Sequence, residues 1–155
     1  MKTRELSRQL QILNSLFEKV DTITGGDMEL RSHWAKYLCV LVAGFLENSL
    51  AEIYIDYSER TASPNVANFT RASLSRIHNP NSEVFSQVTQ SFNKLWADSL
   101  KSFFEENGGD EAINAIMKNR HKIAHGKTSD ISFHRLNGYF ERATKVIEFL
   151  EIQCV

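Results

Sequence analysis

The sequence predicts an all-α fold, a compact bundle of five or six helices, on three observations. Apolar residues recur at steps of three and four along most of the chain. No stretch alternates apolar and polar residues for long enough to make a strand. The 155 residues include only two prolines, and the pairs Gly25-Gly26 and Gly108-Gly109 stand where the apolar stripe stops.

Leu6, Leu10, Leu13, Phe17 and Val20 form the stripe of a first helix that ends before Gly25. A second runs from about Asp27 to Ser58 through Trp34, Leu38, Leu41, Phe45 and Ile53, and its middle is apolar nearly all round, as in a central helix with neighbours on several sides. The polar stretch TASPNVAN interrupts the pattern, and Phe69 to Ile77 suggests a short helix stopped by Asn79-Pro80. Val84, Val88, Phe92, Leu95, Trp96, Leu100, Phe103 and Phe104 read as one continuous helix closed by Asn107-Gly108-Gly109. Asp110 is the expected N-cap of the next, which passes Ile113, Ile116 and Met117 and stops at Gly126. Phe133, Leu136, Phe140, Ala143, Ile147 and Leu150 make the last helix.

The length suits one domain, 1–155, with its own core, and is short for two. With 42% apolar and 24% charged residues and a net charge of −1, the composition is that of a soluble globular chain. That balance argues against extended, sequence-independent DNA binding, which needs many phosphates neutralised. It leaves room for a small basic cleft, for which Lys118, Arg120, Lys122 and Lys127 are the candidates. Cys39 and Cys154 make neither a disulfide framework nor a close thiolate site, which points to a reducing cytoplasm. The N-terminus is charged and amphipathic, unlike a signal peptide. Tyr37 to Leu46 is about half the ~20 apolar residues of a membrane span, so no membrane partner is expected and this run should be a buried helix.

The chemistry concentrates in KNRHKIAHGK, Lys118 to Lys127. On a helix Arg120 falls three or four residues from Ile116, Met117, Ile123 and Ala124, inside the apolar stripe. A guanidinium does not lose its charge in proteins, so there it should meet a carboxylate, a subunit interface or an anionic ligand. His121 and His125 project about 40° apart on the same side. Such a pair can share zinc, yet HKIAH lacks the glutamate of the metalloprotease signature, and His134 is the only evident third ligand. No nucleophile elbow and no glycine-rich phosphate loop is present. The other option is arginine and histidine acting on a phosphodiester: arginine gives paired donors to phosphate oxygens, histidine moves protons near neutrality, and RNA brings its own 2′-hydroxyl nucleophile. That pair suffices for RNA cleavage without a metal or other cofactor.

An all-α chain whose penultimate helix ends in Arg, four residues, then His resembles the HEPN superfamily. The motif here is Arg120-His121-Lys122-Ile123-Ala124-His125 followed by Gly126 and a final amphipathic helix; the second helix, with FLENSL, looks alike too. The likeness is nearest to short prokaryotic defence and toxin proteins of the RiboL-PSP-HEPN type. A second Arg-to-His spacing, Arg71 to His78, falls on a weakly patterned segment and is set aside. The resemblance implies a metal-independent endoribonuclease, a homodimer with two motifs facing across one cleft, and products with 2′,3′-cyclic phosphate and 5′-hydroxyl ends. In that scheme His125 is the general acid/base, Arg120 stabilises the phosphate, His121 orients the site, and Lys118, Lys122 and Lys127 bind RNA. An antitoxin or defence-system partner is implied as well, and a non-catalytic RNA-binding or dimerisation module is the alternative. In toxins regulated by nucleotidyltransferase antitoxins a tyrosine stands two residues after the motif histidine; Lys127 is there instead. From the second helix, Glu47 is the carboxylate expected to pair with Arg120, with Asn48 beside it as a further orienting group.

Overall fold

In the computed structural model, residues 3–155 are described, and among them the chain forms seven helices and no strand. α1 (Arg4–Thr24) starts where the Thr3 hydroxyl accepts the Leu6 N–H, and stops at Gly25, whose φ is positive. α2 (Met28–Thr61) is capped by Asp27. α3 (Pro64–Leu74) is capped by Ser63, with proline in its first turn. α4 (Ser82–Phe92) and α5 (Lys94–Asn107) meet at Asn93; α6 (Gly109–Ala124) and α7 (Phe133–Gln153) complete the bundle.

α2 is the central post. α1, α3, α6 and α7 all pack on it, and α4 and α5 close the end of the bundle against each other and against α6 and α7. Leu38, Cys39, Val42, Leu46, Leu50 and Tyr54 of α2 are all but sealed from solvent, and one contiguous apolar cluster draws on every helix. Tyr54 shows how polar groups enter it. Its hydroxyl shares a 2.7 Å hydrogen bond with the Thr89 hydroxyl, while its ring stacks on Phe92 at 4.5 Å. By length and composition α2 could cross a bilayer, but 61% of its most apolar window is buried against the other helices.

Three expectations about the elements need correction. The stripe from Val84 to Phe104 is two helices. At Asn93 (φ −161°, ψ 120°) the backbone turns extended, and its side chain accepts the N–H groups of Leu95 and Trp96 while its own N–H caps Thr89. Leu95, counted in that stripe, is 73% exposed as a result. The segment TASPNVAN does break the pattern, but only at Ala62-Ser63: α3 starts at Pro64, inside that segment and before Phe69, and ends at Leu74, short of Ile77. Finally, Asp110 lies within the first turn of α6: the N-cap is Gly108, and the Gly109 N–H is taken by the Asn107 side chain at 2.7 Å.

Candidate functional site

The motif occupies the last turn of α6. Two ties hold that turn in place. From α2, the Cys39 thiol donates to the Ile116 carbonyl at 3.5 Å, the oxygen that also serves the Arg120 N–H along the helix. Burial pushes this thiol up to about 12 from its ordinary 9.0, so it stays a neutral donor. From the following loop, the buried Ser129 hydroxyl donates to Asn119 Oδ1 at 2.8 Å, while Asn119 Nδ2 donates back to Ala115. Sequence reasoning passed over Asn119 and Ser129; polar residues ten apart give no periodic signal.

Glycine sets the exit. With His125 as C-cap (φ −97°, ψ 13°), Gly126 takes φ +66°, its N–H reaches the Ile123 carbonyl, and the Lys127 N–H reaches Lys122 at 2.8 Å. This doubly bonded ending favours a residue without Cβ at that point. It brings the helix to a stop with His125 exposed at its tip.

The structure brings His121 and His125 together: their ring centroids are 4.4 Å apart and tilted by 50°. Among the described residues no third His, Cys, Asp or Glu joins them in a metal-sized group, His134 included. Arg120 is half-buried and, among the described residues, its guanidinium has no hydrogen bond or ion pair. It lies about 140° round the helix from His125, with His121 between them in angle. Lys118 and Lys127 are exposed and Lys122 is half-buried; Lys118 and Lys122, four apart on α6, share one side of the helix, and Lys127 follows beyond Gly126.

Glu47 does not meet Arg120. Its Oε2 accepts the Asn79 N–H at 2.6 Å and its Oε1 lies 3.5 Å from His78 Nδ1, because the α3–α4 loop crosses α2 at that height. Asn79 there holds φ +48°, the one positive φ of a non-glycine residue among the described residues. Asn48 points the other way and donates to Gln9 of α1 at 3.5 Å. Arg71 pairs with Glu59, leaving His78 to Glu47, so the second Arg-to-His spacing has each residue on its own carboxylate.

A model of the RiboL-PSP-HEPN family matches residues 4–155. The chain belongs to the RiboL-PSP-HEPN family. No curated protein and no solved structure matches it. For a RiboL-PSP-HEPN chain the all-helical bundle is the expected frame, and the match takes in α6, its motif and α7 as well as the central α2.

Proposed function

We propose that this protein is a metal-independent endoribonuclease acting as a toxin or antiviral-defence effector in the cytoplasm, with its active site assembled from two copies of the chain. One observation carries the reading: Arg120 is a half-buried guanidinium that, among the described residues, has no carboxylate of its own. A cation so placed suits an anionic ligand, and RNA phosphate has the matching geometry. Arg120 and His125 leave the helix about 140° apart, which favours pairing each with its counterpart across a two-fold axis over aiming both at one phosphate in a single chain. His125, exposed at the helix tip, is the general acid/base, and His121, against it, orients the ring. The 2′-hydroxyl attacks the adjacent phosphorus and the 5′-oxygen leaves, so the products carry 2′,3′-cyclic phosphate and 5′-hydroxyl ends. Lys118, Lys122 and Lys127 supply basic contacts to the strand.

The test is cleavage of single-stranded and structured RNA in EDTA by the wild type, Arg120→Ala and His125→Ala, with sedimentation to read the dimer. Expected is cleavage by the wild type alone. RNA binding with no cleavage would support the non-catalytic module instead, and cleavage untouched by both substitutions would place the chemistry elsewhere.

A further inference from the structure

A groove of about 570 Å³ opens beside the motif, between α6 and the start of α4. Met117 and His121 line it together with four polar side chains, Asn81, Glu83, Asn114 and Lys118. Two of these are held in one orientation. Asn114 Oδ1 accepts the Ser82 N–H at 2.9 Å, and Asn81 Oδ1 accepts the Val84 N–H at 3.0 Å. A backbone N–H demands an oxygen, so in both amides the NH₂ group is left over. Among the described residues neither NH₂ nor the Lys118 ammonium has a hydrogen-bond partner. Among the described residues the Glu83 carboxylate accepts only from the Gln87 side chain, at 3.3 Å, and no cation pairs with it.

The groove therefore offers several donors together with one carboxylate acceptor. A bare phosphate fits poorly, since Glu83 repels it. The ligand should be neutral and flat, with acceptors along one edge and N–H groups along another. Of the four RNA bases, guanine alone sets two adjacent N–H donors, N1 and N2, toward a carboxylate and two adjacent acceptors, O6 and N7, toward donors. His121 supplies an aromatic face for such a ring. His125 stands next to the groove through His121, the two ring centroids being 4.4 Å apart.

We propose that this groove is a guanine-binding subsite, with Glu83 receiving N1–H and N2–H and with Asn81, Asn114 and Lys118 donating to O6 and N7. The assignment of the base next to the cleaved bond rests on the ribonuclease reading; the binding itself does not. Side-chain amide signals of ¹⁵N-labelled protein are followed during titration with GMP, UMP, AMP, CMP and ribose 5-phosphate. Expected is movement of the Asn81 and Asn114 NH₂ signals at about tenfold lower GMP than any other ligand, a preference that Glu83→Gln removes. Equal response to all nucleotides, a response to ribose phosphate matching that to GMP, or preference for UMP overturns the subsite. Cleavage of oligonucleotides that differ in one base is the second arm. Cutting without regard to guanine overturns the subsite while the ribonuclease reading stands; GMP binding with every oligonucleotide left intact upholds the subsite and overturns the ribonuclease.

Discussion

Replacing Gly109 by alanine should destabilise the protein, although glycine is a poor residue inside a helix. Gly109 opens α6 against α7, and it is buried. A Cβ added there would overlap Cγ2 of Val146, stand 2.6 Å from Asn107 Oδ1 and touch Phe104 at 3.4 Å. Val146 has little freedom to swing aside, since a valine in a helix keeps one strongly preferred rotamer. Overpacking of this kind costs about 1–3 kcal/mol. Displacing Asn107 also frees the Gly109 N–H it holds at 2.7 Å, at a further cost of about 1 kcal/mol. Against these stands a gain of about 0.5–1 kcal/mol for exchanging glycine with alanine in a helix. The net is a loss of about 1–3 kcal/mol, with Tm falling by roughly 2–4 °C for each kcal/mol at this chain length. Gly44 is the control. It lies in mid-α2, its φ is not positive, and an added Cβ meets nothing within 4 Å, so Gly44→Ala should gain about 0.5–1 kcal/mol. Urea unfolding and thermal melts of both variants give the answer. If Gly109→Ala matches or exceeds the wild type, or if both variants move the same way, the packing argument for the α6–α7 contact is wrong.

Asn93→Ala removes a side chain that caps two N–H groups and should cost about 1 kcal/mol in urea unfolding, whereas Asn93→Asp should hold wild-type stability; equal losses would show that the α4–α5 break does not depend on the cap. Burial raises both the Cys39 thiol, to about 12 from 9.0, and the Tyr54 hydroxyl above its ordinary 10.0, so each is neutral in the fold at a pH where the unfolded chain ionises. Their stabilisation is complete below pH 9 and is lost as pH climbs from there toward 12, and Cys39→Ala should flatten the slope of unfolding free energy against pH; stability unchanged between pH 8 and 11 would contradict this. For the proposed ribonuclease, His125→Ala should lower kcat/KM about 10²- to 10⁴-fold, and Arg120→Lys, which keeps charge but loses the paired donors, should restore less than the wild-type rate.

Most of the helices could be read from the chain because their causes lie within a turn or two. Leu6 to Val20 and Leu136 to Leu150 bury the residues their three-and-four spacing points inward, and Asp27, Asn81 and Ser132 cap helices through hydrogen bonds three residues long. The motif was legible for the same reason: Arg120, His121, His125 and Gly126 share one helical turn and its exit, so the contact between the two histidine rings follows from a spacing of four. What required the tertiary structure was the choice of distant partners. Glu47 looked like the natural carboxylate for Arg120, yet the α3–α4 loop passes nearer and its Asn79 N–H and His78 take both oxygens. The Asn93 break hid inside an apolar spacing that runs on across it, since a cap and a continuing helix differ in the two backbone torsions of a single residue, which the pattern of apolar residues does not record. Asn81, Glu83, Asn114 and Lys118 form no motif at all. They share a groove only because α6 and the start of α4 pack side by side, and the unmet donors and acceptor that define it appear only once their other hydrogen bonds have been assigned.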